Sequence, residues 1–346
     1  YTGTVEVKDS IAAEKTMEVE EAYIEDFSSW GVPGSLILKP EIAAPGGNIY
    51  SVYGTNMYGG VLNGGVDQYE VMSGTSMAAP HVAGMSALLA QYVEDNDLAK
   101  WTNGNQRTLI NSLLMSTATP MKDGDNYISV LSQGAGLANA YKVTQALSFI
   151  TMDEKATMSS ADGKVKAELG QDAFREGYYE YTFTIHNMSD TDLAYELSTD
   201  MFTQDADYGY FISQNTTDLA ANVDYVLPND IADHDVNKDG STDALDADAI
   251  LDYLTGNVSA DELDLDKGEM DDDGVITSYD AYLILMFSQD QLFVVPAEDS
   301  RDVTVRITLT DTDSLDDTFW NGDYVEGYTY VKCVSRTEDG AELDVE

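Results

Sequence analysis

One run of small and polar residues, 73–80 (SGTSMAAP), could carry out covalent chemistry. A glycine-containing turn leads into a predicted helix whose first residues include Ser76. Backbone N–H groups at a helix start lack partners within the helix, and they direct positive dipole density toward any oxygen that lies there. A nucleophilic Ser76 could therefore use its own N–H to stabilise an oxyanion. The alternative is that Thr75 or Ser76 only caps the helix.

A serine nucleophile needs a histidine base, which an aspartate orients. The chain has three histidines, and all of them follow Ser76. His81 lies on the same predicted helix, His186 on the polar face of a predicted strand, and His234 beside an acidic loop. We expect the last two at the surface. No triad is assigned within the chain, and we expect the chain alone to be inactive.

Two acidic loops space their oxygen-bearing side chains as calcium loops do, with a glycine at the sixth position for the sharp turn. Calcium takes six to eight oxygen ligands, which such a loop supplies. The predicted ligands of the first loop are Asp235, Asn237, Asp239, Ser241 through its carbonyl, Asp243 and Asp246. Those of the second are Glu269, Asp271, Asp273, Val275, Thr277 and Asp280. A glutamate at position one is unusual, so we expect the second site to be weaker. The alternative is a solvated acidic loop that holds no ion.

The charge balance excludes several classes of protein. The chain has 346 residues, 17 Lys and Arg against 63 Asp and Glu, and a net charge of −46. A nucleic-acid binder or a polybasic membrane-surface protein needs the opposite sign. No apolar run approaches the roughly 20 residues of a spanning helix. Cys333 is the one cysteine, which we expect to be buried in a strand, so the pattern favours an extracellular bacterial protein stabilised by ions.

Apolar residues in the first 150 positions follow strand and helix patterns in turn. Residues 36–46 predict a short strand that ends at a Pro-Gly turn, and residues 47–71 predict a long surface loop. Helices are predicted after Ser76, near 105–118 and near 136–148, because apolar residues recur there at spacings of three and four. Strands that alternate with helices indicate an α/β unit.

The period of the pattern changes after about residue 165. Apolar and polar residues alternate in 178–186, 303–309 and 324–334, which is typical of a β-sandwich. The acidic stretch 230–290 separates the first of these strands from the later ones. It is interpreted as an insertion between two sandwich strands, in which each loop is followed by one apolar helix.

Five segments of the first part carry a resemblance to a known family: FSSWG at 27–31, KPEIAAPG at 39–46, MSGTSMAAPHVAG at 72–84, LMSTA at 114–118 and QGAGLANAYK at 133–142. In order and spacing they resemble the C-terminal part of a subtilase (subtilisin-like serine protease) catalytic domain of the lactocepin-type cell-envelope proteinase group. The resemblance implies that Ser76 is the nucleophile, that its N–H contributes to the oxyanion hole, and that residues around Tyr50–Tyr53 lie near the substrate cleft. It also implies that the triad Asp and His, and an asparagine of the oxyanion hole, belong to a missing N-terminal part.

The later segments carry two further resemblances. The stretches 182–197, 294–309 and 319–332 resemble strands of the fibronectin type III-like domain of lactocepin-type proteases. The two loops, 34 residues apart, resemble a dockerin module, which implies bound Ca²⁺ and a possible cohesin-like partner. A module embedded in another domain could instead be purely structural, and both interpretations stay open.

These patterns predict a multi-domain chain: a partial α/β subtilisin-like unit, then an all-β sandwich interrupted by a small α-helical EF-hand or dockerin-like calcium module. The predicted domains are 1–150 for the peptidase part, 151–230 plus 291–346 for the sandwich, and 231–290 for the insertion. The predicted function is that of a secreted or cell-surface serine endopeptidase acting on protein or peptide substrates. The alternative is a non-catalytic, calcium-dependent adhesion or assembly module.

Overall fold

The computed structural model describes ten stretches of the chain, which are residues 22–31, 35–52, 69–152, 163–207, 211–227, 234–271, 274–288, 292–312, 315 and 323–334. Within these stretches it contains seven α-helices, two short 3₁₀ turns and twelve β-strands. None of the described helices is both long enough and apolar enough to cross a membrane.

The first part combines four helices with two small hairpins. The helices are α1 (Thr75–Asp95), α2 (Gln106–Ser116), α3 (Val130–Gln133) and α4 (Ala140–Gln145). The hairpins are β1 (Ile49–Val52) with β2 (Tyr69–Met72), and β3 (Lys122–Asp123) with β4 (Asn126–Tyr127). Leu109 and Leu113 of α2 pack, fully buried, against Leu89 and Val93 of α1 and against Phe149. The core of this part therefore lies between α1, α2 and the strand that contains Phe149.

Three predictions for this part need correction. Residues 36–46 do not form a strand, because their only β-bridge joins Ala43 to Leu137 and no neighbouring strand extends the pairing. The predicted loop 47–71 begins with strand β1 and ends within its partner β2, while residues 53–68 of that prediction lie outside the described part of the chain. The predicted helix near 136–148 is confined to α4, which begins after Asn139, whose side chain accepts hydrogen bonds from two backbone N–H groups of the helix.

The second part is built from two antiparallel sheets. One has the order β5-β6-β11-β9, and the other has β7 between β10 and β12, with β8 also paired to β7. Their bounds are β5 Ser148–Met152, β6 Tyr178–Asn187, β7 Leu193–Asp207, β8 Phe211–Asp218, β9 Ala221–Val226, β10 Leu292–Val295, β11 Ser300–Leu309 and β12 Val325–Cys333. Buried residues of both sheets form one core, so the sheets pack face to face.

Alternation decides which side chains enter this core. On β11, Val303 and Val305 are fully buried, while Arg306 points outward and pairs with Glu180 of β6 at 2.7 Å. Cys333 is buried at the end of β12, as the sequence predicts. Burying a valine such as Val303 stabilises the fold by roughly 1.5–3 kcal/mol relative to leaving it exposed.

A small helical segment interrupts the strands between β9 and β10. It contains α5 (Ala244–Thr255), α6 (Leu265–Gly268) and α7 (Ser278–Ser288). Ile250 of α5 and Ile284 of α7 are both fully buried, and they share a cluster with Val334, which follows β12. The backbone N–H of Val334 bonds to the carbonyl of Ala194 at 2.9 Å, and the Tyr279 hydroxyl bonds to the Val334 carbonyl at 3.2 Å. The insertion is therefore packed against the edge of a sheet.

The junction between the first part and the sheets is polar and buried. The Tyr127 hydroxyl bonds to the Asp200 carboxylate at 2.6 Å and lies 2.7 Å from the Tyr330 hydroxyl. Burial, together with these two neighbours, raises the pKa of Tyr127 above its ordinary value. Thr216 of β8 donates to the Tyr127 carbonyl at 2.7 Å, and Tyr328 of β12 donates to the Gly134 carbonyl at 2.8 Å.

One carboxyl group lies at the centre of this junction. Glu326 of β12 is 7% exposed, and it accepts hydrogen bonds from the Ser129 hydroxyl at 3.1 Å, from the Val130 N–H at 3.0 Å and from the Gln204 amide. Ser129 also caps α3 by accepting the Leu131 N–H at 3.2 Å. Burial raises the pKa of Glu326 to about 7, although these hydrogen bonds act in the opposite direction.

The raised pKa of Glu326 predicts a pH-dependent stability. The folded protein binds this proton more tightly than the unfolded chain, so the free energy of unfolding falls as pH rises from the ordinary 4.5 to about 7. We expect the wild type to lose about 3 kcal/mol over this range relative to Glu326→Gln. Urea unfolding across pH checks this, with the exposed Glu180→Gln as control. Parallel curves for the wild type and Glu326→Gln would contradict it.

Candidate functional site

Ser76 is the second residue of α1. The first hydrogen bond of the helix start runs from the Met77 N–H to the Gly74 carbonyl at 2.9 Å, so the N–H of Ser76 precedes that bond. Ser76 is exposed, and no side chain caps the helix. The capping alternative does not hold in this structure, because the N-cap residue is Gly74. An exposed hydroxyl beside the N–H groups of a helix start is a candidate for chemistry that forms an oxyanion.

Two contacts hold the turn that precedes Ser76. The Gly74 N–H bonds to the Gly46 carbonyl at 2.9 Å, and the Asn48 N–H bonds to the Ser73 hydroxyl at 2.8 Å. Gly74 has φ of 151°, and a Cβ at Gly46 would approach the Gly74 carbonyl oxygen to 2.9 Å. Glycine at position 46 therefore permits the close approach of the two backbones, and glycine at position 74 permits the positive φ of the turn.

The segment before Gly46 is held in turn by residues 134–138. The Ala43 N–H bonds to the Gly136 carbonyl at 2.8 Å, and the Ala43 carbonyl accepts the Ala138 N–H at 2.9 Å. The Ala135 N–H bonds to the Glu41 carbonyl at 3.0 Å. Two of the five motif segments that are distant in sequence thus lie side by side.

A cluster of charges, which the sequence analysis missed, fastens the same segment to the chain that leads into the sheets. Lys166 and Glu168 form a buried ion pair at 2.7 Å, and both also bond to the backbone of Leu38. Lys164 pairs with Glu41 at 2.9 Å. Burial alone would raise the pKa of Glu41, but this lysine and a second one at position 39 lower it to about 2. The available signal was the alternation of charged residues with apolar ones in 164–168, where Lys164, Lys166 and Glu168 occupy every second position.

The hairpin that leads to Ser76 presents an apolar face to solvent. Tyr50, Val52, Tyr69 and Val71 are on one face of the β1–β2 pair, and each is more than half exposed. The rings of Tyr50 and Tyr69 stack with centroids 5.4 Å apart. Of the residues expected near the substrate cleft, Tyr53 lies outside the described part of the chain. Such an exposed apolar patch marks a candidate contact surface.

The three histidines do not gather at Ser76. His81 is exposed, and its Nδ1 lies 2.8 Å from the Met77 carbonyl. The surface positions predicted for His186 and His234 are wrong. His186 is partly buried, stacks on Phe149 at 4.5 Å and lies 2.7 Å from the Thr151 hydroxyl, and burial lowers its pKa. His234 is 8% exposed, because its ring packs on Phe287 while Nδ1 lies 2.9 Å from the Lys267 carbonyl.

The first acidic loop is folded around its own carboxylates. Asp246 is fully buried, and it accepts the N–H groups of Val236 at 2.7 Å, of Asn237 at 3.0 Å and of Asp243 at 2.8 Å. Gly240 has φ of 92°, which is the left-handed turn that the motif requires. Asp235, Asn237 and Asp239 each accept at least one N–H from residues 239–241.

The second loop repeats this geometry 34 residues later. Asp280 is fully buried and accepts the Met270 and Thr277 N–H groups, each at 2.8 Å, as Asp246 accepts those of the matching residues. Oxygens of Glu269, Asp271 and Asp280 lie within 4.8 Å of one another. Three carboxylates this close suit a hard divalent cation. Asp273, a predicted ligand, lies outside the described residues, whereas Val275 is exposed within them.

Residues 5–142 match the model of the Subtilase family. The chain is 37% identical over 166 residues to a C5a peptidase from Streptococcus pyogenes serotype M6, which is 47% of this chain and 12% of that protein. It is 31% identical over 207 residues to a PIII-type proteinase from Lactococcus lactis subsp. cremoris, which is 57% of this chain and 10% of that protein. A PII-type proteinase from the same subspecies is 30% identical over the same length.

Ser76 and all five motif segments lie within the described residues and inside the matched range, so this stretch resembles a segment of a subtilase domain. The chain is homologous there to proteins named as a peptidase and as proteinases. It spans about a tenth of the length of these curated relatives.

The folded loops predict a large cost for losing Asp246. Replacing it by Ala leaves three backbone N–H groups without their acceptor, and each such buried donor costs about 1–3 kcal/mol. We expect Asp246→Ala to lower the free energy of unfolding by about 3 kcal/mol, measured by urea unfolding with a chelator present. Asp248→Ala, at an exposed position of the same helix, should change it by less than about 0.5 kcal/mol. Equal effects of the two substitutions would contradict the assignment.

Proposed function

We propose that this chain contributes the nucleophile segment of a subtilisin-like serine endopeptidase. The observation that carries the proposal is the position of Ser76, exposed at the start of α1 within the segment that matches the Subtilase model. The predicted substrates are proteins or peptides. The compositional pattern, with a net charge of −46 and one cysteine, supports an extracellular or cell-surface bacterial location.

In the proposed reaction the Ser76 oxygen attacks the carbonyl carbon of a peptide bond and forms a tetrahedral intermediate. The C–N bond then breaks, the amine leaves with the proton that the base took from the hydroxyl, and an acyl-enzyme remains until water hydrolyses it. The Ser76 N–H, next to the positive end of the α1 dipole, stabilises the oxyanion of the tetrahedral intermediate. The proton of the hydroxyl must pass to a histidine base, and none of the three histidines lies at Ser76. The base and its aspartate are therefore expected from a complementary N-terminal part.

A fluorophosphonate probe tests the nucleophile directly. In a preparation that holds the complementary part, we expect one adduct, which peptide mapping places on Ser76 and which Ser76→Ala abolishes. The isolated chain should stay unlabelled, because loss of the base leaves only a small fraction of the catalysis. Ser86→Ala is the matched control, since that hydroxyl of the same helix donates to the Val82 carbonyl at 2.8 Å, away from the turn before Ser76, and this variant should label normally. An adduct on another serine would contradict the proposal.

We propose further that the two acidic loops bind Ca²⁺. Support comes from their matching folds, from the positive φ of both sixth-position glycines, and from the three clustered carboxylates of the second loop. Bound calcium would neutralise part of the local negative charge. The residues proposed to hold it in the first loop include Asp235 and Asp239, whose oxygens face the loop backbone.

Calcium titration into the chelated protein should show at least one saturable site. Asp239→Ala should weaken the first site by about tenfold or more, because it removes one of a few anionic ligands. Asp252→Ala, an exposed change on α5, should leave the affinity unaltered. Isothermal calorimetry provides the measurement. Absence of binding at about millimolar calcium would overturn the calcium proposal and with it the dockerin resemblance.

A second candidate function is calcium-dependent binding of a cohesin-like partner. It is favoured by the outer face of α5, where Leu245, Leu251 and Leu254 are each more than 40% exposed. Against it, α7 packs beside the sheets, because Phe287 shares a buried cluster with Val334 and the Tyr279 hydroxyl bonds to the Val334 carbonyl. The embedded module therefore offers one free helix, and a structural role for the ions agrees better with this packing.

A further inference from the structure

We propose that Glu326, a residue of the sheets, is a positioning residue for Ser76. The inference rests on the proposed role of Ser76, but it concerns how the fold holds that residue rather than whether it reacts. It depends on a series of contacts that begins at the buried carboxyl group of β12 and ends at the turn before α1. Each step is a hydrogen bond between backbone or buried polar atoms.

The first step joins the sheets to α3. Glu326 accepts the Val130 N–H and the Ser129 hydroxyl, which are the first residue and the N-cap of α3. Gln204 of β7 donates both to Glu326 and, at 3.2 Å, to the Ser129 hydroxyl. A carboxyl group at the start of this helix satisfies N–H groups that have no partner within it. The position of α3 is thereby fixed relative to β7 and β12.

The second step runs from α3 to the 134–138 backbone. Gln133, fully buried, bonds to the Met121 N–H and carbonyl and to the Ile128 carbonyl, so the end of α3 is tied to the β3–β4 hairpin. Tyr328, two residues along β12 from Glu326, donates to the Gly134 carbonyl. Two side chains of β12 therefore form hydrogen bonds at the two ends of α3.

The third step reaches Ser76. Residues 134–138 hydrogen-bond to Glu41 and Ala43, and the Gly46 carbonyl accepts the Gly74 N–H two residues before Ser76. A Cβ at Gly134 would approach the Pro40 carbonyl oxygen to 2.4 Å, so the two backbones are in direct contact. A displacement of α3 would therefore either displace the 40–46 segment as well or break the hydrogen bonds between that segment and residues 134–138.

Tyrosine hydroxyls, one carboxylate and two neutral polar side chains surround Glu326. Tyr328 lies on its own strand, and its pKa is raised by burial and by the nearby Glu326 charge. Tyr127, Tyr330 and Asp200 form a neighbouring hydrogen-bonded group across the junction. From α3 and β7 the facing groups are the neutral Ser129 and Gln204. Loss of the Glu326 carboxyl group therefore removes the shared acceptor of α3 and β7.

The test uses the whole chain and a thiol in place of the serine hydroxyl. In Ser76→Cys, the thiol at a helix start should have a pKa below the ordinary value of about 8.5, which the pH profile of iodoacetamide alkylation reports. Adding Glu326→Ala should raise that thiol pKa and slow alkylation near neutral pH by about threefold or more. Glu326→Gln, whose amide oxygen still accepts the Val130 N–H, should restore the parent behaviour.

Glu180→Ala, which removes an exposed glutamate of β6, is the matched control and should match the parent. Peptide mapping separates the introduced thiol from the buried Cys333. If Glu326→Ala does not fold, Ser129→Ala provides the same test, because it removes the hydroxyl that Glu326 and Leu131 share. The proposal is overturned if the folded variant, Glu326→Ala or Ser129→Ala, shows the same thiol pKa and alkylation rate as Glu180→Ala. Because alkylation requires no histidine, this result is independent of the fluorophosphonate test.

Discussion

A buried carboxyl group must find hydrogen-bond donors, because burying it without partners costs several kcal/mol. Glu326 meets this requirement with donors from α3 and from β7, which belong to different parts of the molecule. The two parts therefore cannot separate without exposing or orphaning the carboxyl group. The surrounding hydroxyls of Tyr127, Tyr328 and Tyr330 extend the same constraint along the junction. The first part and the sheets therefore form one structural unit.

The charge distribution gives this unit a second constraint. With 63 acidic and 17 basic residues, self-repulsion opposes the compact state. The lysines at 39, 164 and 166 gather around Glu41 and Glu168, which offsets repulsion where the segment leading to Ser76 meets the sheets. In the insertion, backbone N–H groups offset the repulsion between carboxylates by bonding to them, and the proposed ions would reduce that repulsion further. The acidic composition and the local folding of the loops are thus linked.

Much of this arrangement was predictable from sequence. The alternation in β6 and β11 and the repeat of the acidic loops specify local geometry, and glycines such as Gly240 mark the required turns. The Ser76 motif predicted a serine at a helix start. The strand predicted for 36–46 failed, because pairing depends on neighbours that local pattern does not reveal. The burial of His234 and the role of Glu326 also depend on contacts between distant segments, and no spacing signals them.

Amide hydrogen exchange at single-residue resolution tests most directly whether the junction makes one unit of the two parts. The N–H groups of Ala43 and Gly74, in the segment that holds Ser76, should open with the same free energy as that of Val130 at the junction. Glu326→Ala should lower all three opening free energies together. Independent opening of Ala43 and Gly74, unaffected by Glu326→Ala, would contradict the account.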